Sequence, residues 1–273
     1  MARNTLKNIC RLIDAVNKDV PVEEMFLTDL KRSIEIDGEK EARKPSQTYK
    51  PSGLGCMRAM YYGVVGADCD SEKPNYSSVG ICNSGSDIHV RIQTAISRMK
   101  ENGIDCEYID VAEFVKSRNI PDIEVVDRCG METKLYNRAL NMSFLSDGII
   151  KYHNHYYIVE FKTEASFKWT ARTGVDAKHL AQATAYSLSL QLPEVLFVYI
   201  NRDLLDMKSY MFVPTDDDKE ALIARIATCD EFVANKELPP KPTDLPRNAC
   251  NYCGYRSLCE AENNGIKEDT VNE

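Results

Sequence analysis

The chain has 273 residues with a formal net charge of −8, 43% of them apolar and 28% charged. Those shares sit close to ordinary globular usage and exclude a disordered, collagenous or disulfide-scaffold chain, and no apolar run approaches the ~20 residues needed to cross a bilayer. The acidic balance, with a pI near 5.2, excludes the simplest basic nucleic-acid coat and leaves room for a local basic groove.

At ~150 residues per domain, the length fits one large domain or two modest ones. Leu6, Ile9, Cys10, Ile13 and Val16 recur at helical spacing, and Met25, Phe26, Leu30 and Ile34 do so after Pro21. The chain is therefore expected to open with two amphipathic helices. Charges interrupt the apolar residues of MARNTLKNICRLIDAV, unlike a secretory h-region, which predicts a cytoplasmic protein with no membrane association. From Asp37 to Gly55 the composition turns polar, with Pro45, Pro51, Gly53 and Gly55, and reads as a linker or a loop. Helices are expected at about 56–65 and 80–101. Short β-rich runs follow at 123–126, 132–136, 143–152 and 156–162, then a helix at 176–191, strands at 195–201 and 207–213, and a helix from Asp216 to Val233. That order implies a mixed α/β or α+β fold. The prolines of ELPPKPTDLPRNACNYC then forbid a helix and lead into a small cysteine-rich tail.

In YYIVEFK, Glu160 and Lys162 leave one face of a strand while Val159 and Phe161 leave the other. A turn centred on His153 and Asn154 pairs Tyr152 with His155, and the same register carried back sets Asp147 opposite Glu160. Two carboxylates so placed repel unless a divalent cation sits between them, and hard oxygen ligands suit Mg²⁺ or Mn²⁺. Lys162 could then orient or deprotonate a water. The tripeptide alone reads first as a solvated strand face bearing a cross-strand salt bridge.

With Asp147 on the preceding strand, the segment resembles metal-dependent nucleases of the PD-(D/E)XK class. Two further phrases resemble its RecB-like branch. HLAQATAY carries Gln182 and Tyr186 four apart on one helical face, similar to the Gln-x3-Tyr motif that lies by the active site and helps to place DNA and the catalytic lysine. GSDIHVRI puts His89 where RecB-like nucleases bring a histidine to the metal. The resemblance also implies a buttressing acid, at Glu132 or Glu124. Relatives commonly have glycine three residues before the metal-binding aspartate, whereas this chain has Phe144.

Ten cysteines are many for a chain without an export signal. Cys250, Cys253 and Cys259 fall within ten residues of non-helical chain, a spacing that can wrap thiolates around one centre. Three is one short of a closed site. PSGLGCMRAMYY resembles the Ser-x3-Cys-x-Arg-x3-Tyr segment of RecB-like nucleases with an iron–sulfur cluster, a family that includes the AddB nuclease domain and the CRISPR adaptation nucleases. The resemblance implies Cys56 as the fourth ligand of a [4Fe–4S] cluster, while the spacing by itself also admits a structural zinc. The remaining cysteines read as small buried thiols.

Arg43, Lys44, Lys50 and Arg58, interleaved with Tyr49, Tyr61 and Tyr62, suit phosphates and stacked bases, and Lys168, Arg172 and Lys178 beside Trp169 form a second candidate. The resulting expectation is an α/β protein with a PD-(D/E)XK mixed central sheet flanked by helices. Residues 1–49 would be a helical extension and linker, 50–262 the nuclease domain with its cluster segments 50–65 and 247–262, and 263–273 a disordered tail. The resemblance implies a metal-dependent DNA exonuclease acting on single-stranded ends, in recombination, repair or CRISPR adaptation, of bacterial, archaeal or viral origin. A recombination, helicase or CRISPR adaptation protein would be its partner. The competing reading is a non-catalytic nucleic-acid- or partner-binding module with a cysteine-bound metal.

Overall fold

A computed structural model describes residues 21–40, 46–69, 75–243 and 249–261. The helix expected over Leu6–Val16, the basic pair Arg43 and Lys44, and the tail 263–273 lie outside the described residues. The chain divides into two compact units. One contains helix α1 (Val22–Lys40) and the start of helix α3 (Tyr76–Ser97) through Asn83; the other contains the rest of α3, helix α2 (Met57–Val65) and every strand. In the first unit the Tyr76 amide donates to Glu35 at 3.3 Å and Lys31 lies over the Tyr76 ring.

The second unit holds a five-stranded sheet in the order β1-β5-β6-β7-β8, formed by Cys106–Ile109, Gly148–Tyr152, His155–Glu164, Val195–Asn201 and Met207–Phe212. Its β6–β7 pair is parallel and the others antiparallel, so the sheet is mixed. A separate antiparallel sheet comprises β2 (Ile123–Cys129), β3 (Glu132–Asn137) and β4 (Met142–Ser146). Helix α4 (Val111–Arg118) precedes β2, and α5 (Ser166–Ala171) and α6 (Ala177–Leu190) connect β6 to β7. Helix α7 (Asp216–Asn235) follows β8.

Local chemistry explains the principal boundaries. Thr215 and Asp218 close a capping box at the start of α7, whose first turn carries three aspartates favourable to the helix dipole. Asp176 caps α6, accepting from the Lys178 amide. Alternation along β6 splits the core in two. Ile158 packs on one face with Ile149, Phe197, Ala183 and Leu190, while Val159 and Phe161 pack on the other with Ile200 and with Ile88, Ile92 and Ile96 of α3. The i, i+4, i+8 spacing of those three isoleucines is what fits α3 to that face.

Several expectations need correction. The run 143–152 is two strands in two sheets, because the chain changes partner at Asp147. Helix α1 runs through Lys40, past the Asp37 start of the expected loop, and the helix placed at 80–101 runs from Tyr76 to Ser97. Strand β1 and helices α4 and α5 had no counterpart in the sequence reading.

Candidate active site

The hairpin between β5 and β6 has the expected register, from Tyr152↔His155 to Gly148↔Val159, around a turn whose His153 and Asn154 adopt left-handed φ of 44° and 68°. Strand β6 has ten residues, and β5 pairs only with the first five. Beyond Val159 the edge toward β5 is open, because the chain turns away at Asp147. The amide of Phe161, which a longer β5 would have engaged, instead donates to Asp147 Oδ2 at 2.7 Å. Asp147 is thereby fixed beside the start of the Glu160–Lys162 segment, which β7 holds from the other side.

Three donors meet here. His89 Nδ1 lies 3.7 Å from Asp147 Oδ1 and 4.0 Å from Glu132 Oε1, and the ligand atoms of His89, Glu132 and Asp147 all fall within 4.8 Å of one another. These separations are too long for hydrogen bonds and short enough for one cation to draw the donors together. Of the two acids expected as a buttress, Glu132, at the start of β3, reaches this point, while Glu124 lies on exposed β2.

Alongside runs a second chain of contacts. Lys162 Nζ donates to Glu160 Oε1 at 2.6 Å and to Gln182 Oε1 at 3.2 Å. Gln182 Nε2 donates to the same Glu160 oxygen and to the Tyr186 hydroxyl, both at 2.8 Å. The Tyr186 hydroxyl donates to Leu145 O at 3.0 Å. Gln182 and Tyr186, one helical turn apart on α6, thus tie the Glu-x-Lys strand to the end of β4. Phe144 is accommodated by packing against the Tyr186 ring, with centroids 5.2 Å apart.

The electrostatics are those of a site short of positive charge. Burial, reinforced by Asp147 and partly offset by Lys162 and His89, pushes Glu160 up to about 8. Burial and Asp147 also raise Glu132. Burial lowers His89, but Asp147, Glu160 and Glu132 outweigh it, so its pKa is raised. Glu160 Oε2 is buried without a partner. Three carboxylates against one imidazole and one ammonium, with a carboxylate oxygen left over, make a donor set that fits a divalent cation.

Other candidates lie elsewhere. Arg58 is buried, donating from Nε to Pro239 O at 2.8 Å and from Nη1 to Cys259 O and Sγ at 3.4 Å each. It binds the C-terminal segment and is not turned to a substrate. Tyr49 and Tyr62 are core residues, the Tyr49 hydroxyl donating to Asp230 at 2.7 Å, so neither offers a face to a base. The patch around Trp169 is neutralised from within: Arg172 makes two 2.6 Å bonds to Glu164, and Lys168 lies 3.0 Å from the same carboxylate. A groove of about 560 Å³ beside α4 and β2 shares no residue with the site.

Burial raises the Cys253 thiol, and Cys56, Cys250 and Cys259 add to that shift, so the four cysteines share one locality. Cys56 is the N-cap of α2. Cys69, expected as a buried thiol, is half-buried and lies close to Gly254.

Residues 146–260 match the family model of the PD-(D/E)XK nuclease superfamily. Over this segment the chain is similar to that superfamily. The matched segment includes Asp147, Glu160, Lys162, Gln182 and Tyr186 and the three C-terminal cysteines, and leaves His89, Glu132 and Cys56 outside it. The mixed central sheet flanked by helices agrees with that fold. No curated protein matches the chain. Among solved structures, SSO0001 is similar at 16% identity over 86% of this chain and 96% of its own, with a TM-score of 0.46. LHK-Exo, an alkaline exonuclease from Laribacter hongkongensis, is similar at 10% identity over 70% of this chain and 90% of its own, with a TM-score of 0.37. Its complex with dAMP gives 8% identity over 70% and 89%, also at 0.37.

Proposed function

We propose that this chain is a RecB-like deoxyribonuclease that requires Mg²⁺ or Mn²⁺ and acts chiefly as an exonuclease on single-stranded ends. The observation that carries the reading is the junction of His89, Glu132 and Asp147 with the Glu160–Lys162–Gln182 network. When bound, the metal would supply Lewis acidity and lower the pKa of an attacking water. His89, Asp147 and Glu160 would be its ligands, with Glu132 in support. Gln182 holds Glu160 with its amide nitrogen and Lys162 with its amide oxygen, so both reacting groups have fixed positions. The ammonium has three protons and two of these contacts, which leaves one to orient water or a phosphate oxygen. Gln182 and Tyr186 would also border the DNA path.

The nuclease domain would span about 50–262, and Cys56, Cys250, Cys253 and Cys259 would hold a structural [4Fe–4S] cluster, with zinc as the lesser alternative. A recombination, helicase or CRISPR adaptation protein would be a fitting partner for such an enzyme. The test uses end-labelled linear and circular single-stranded DNA with Mn²⁺ or with chelator. Linear DNA should be degraded only with metal and circular DNA spared, and Asp147→Ala or Lys162→Met should lower the rate by about 10²–10⁴-fold. Full activity in either purified variant would overturn the assignment and favour a binding module.

A further inference from the structure

Asp147 stands at a point of weakness. It lies between β4 and β5, outside both, where the chain leaves one sheet for another. Neither ladder fixes its backbone, yet its carboxylate must meet His89 and Glu132 with tolerances of tenths of an ångström if it is to bind metal.

Two side chains from elsewhere take over that task. Gln93 Nε2 donates to the Asp147 carbonyl at 2.8 Å, and the Tyr108 hydroxyl lies 2.6 Å from the same oxygen. Tyr108 also lies 3.0 Å from the carbonyl of Met131, the residue before Glu132. One hydroxyl therefore touches the backbone beside both acidic members of the cluster. Gln93 follows His89 by four residues on α3, so the helical face that presents the imidazole to the Asp147 carboxylate also presents an amide to its carbonyl.

Gly148 makes room for this arrangement. A Cβ there would come 2.5 Å from the Tyr108 hydroxyl and 2.7 Å from its ring. Packing alone does not account for Gln93, which is wholly buried with Oε1 lacking any partner. A half-satisfied amide costs stability that an apolar side chain of the same size would not.

We infer that Gln93 and Tyr108 are positioning residues for the metal site, holding the main chain of Asp147 so that its carboxylate converges with His89 and Glu132. Neither touches the metal or the substrate. The inference rests on the metal-dependent reading above, and the experiment separates the two. Mn²⁺ binding to the full-length protein is measured by electron paramagnetic resonance for wild type, Asp147→Ala, Tyr108→Phe, Gln93→Met and the last two combined, with the melting temperature of each metal-free protein recorded beside it.

Tyr108→Phe and Gln93→Met should each weaken Mn²⁺ binding about tenfold, as loss of supporting contacts around metal ligands does. Tyr108→Phe should melt close to wild type, and Gln93→Met at or above it, since it removes the unsatisfied oxygen. The activity lost at low Mn²⁺ should return at high Mn²⁺. If Asp147→Ala loses Mn²⁺ but both supporting variants bind it as wild type does, the positioning role is refuted and the metal site stands. If Asp147→Ala binds Mn²⁺ as wild type does, the metal-site reading itself falls.

Discussion

Glu160 is the residue whose burial has the largest consequence for the protein without its metal. Its pKa rises from 4.5 to about 8 because burial and Asp147 both disfavour the anion. Between those values the unfolded chain binds fewer protons at this position than the folded chain, so stability falls as pH rises through that window. His89, also raised, has the same sign: its contribution is present below its unfolded pKa and is lost as pH rises through the folded one. Thermal melts in chelator should therefore show a melting temperature that declines from about pH 5 to pH 8. Glu160→Gln should flatten the decline, and saturating Mn²⁺ should reverse it. A wild-type melting temperature that climbs across this range would show that these groups do not govern it.

At the scale of elements, the break between β4 and β5 is the feature on which the site depends, and Gly148 is its most constrained position. Gly148 has φ 153° and the Tyr108 ring where a Cβ would go. Gly148→Ala should cost about 1–3 kcal/mol by overpacking, measurable by denaturant unfolding, and should weaken Mn²⁺ binding as Tyr108 is displaced. A variant as stable as wild type would mean that the ring yields freely. The β5–β6 hairpin was legible because its two turn residues and the alternation on either side are local signals. The break at Asp147 was not, since a run of alternating residues looks the same whether or not it changes partner. Four-residue β1 is too short to show a period, which hid Tyr108. Helix α4 did have a signal, Asp110 followed three residues later by Glu113, and Asp110 does cap it by accepting from the Glu113 amide. Arg58 and Tyr49 show the converse limit. A cation among tyrosines has the composition of a nucleic-acid groove, and only tertiary structure shows the side chains turned inward.

At the scale of the whole molecule, the C-terminal segment is held to α2 by Arg58, whose guanidinium reaches the carbonyls of Pro239 and Cys259. Arg58→Leu would leave buried acceptors unpaired at a cost of about 1.5–3 kcal/mol. The segment after Leu238 should then be cleaved by protease well before the sheet, as read by mass spectrometry of timed digests. If Cys56 holds the proposed cluster, Cys56→Ser should give the same pattern together with loss of that iron, whereas Cys106→Ser should do neither, because Cys106 is packed under α3 with Ile150 and Val159. Colourless wild-type protein with stoichiometric zinc would replace the cluster with the simpler metal. The half of β6 that β5 leaves uncovered has one more implication, for solubility. An open strand edge invites another chain to add to the sheet and seed aggregation. Here the Asp147 carboxylate occupies the amide of Phe161, and Gly85 brings α3 close to Thr163, where a Cβ would stand 3.2 Å from the hydroxyl. The acid proposed to bind metal therefore also stoppers the sheet, so replacing it by alanine exposes a sticky edge even where no catalysis is asked of the protein.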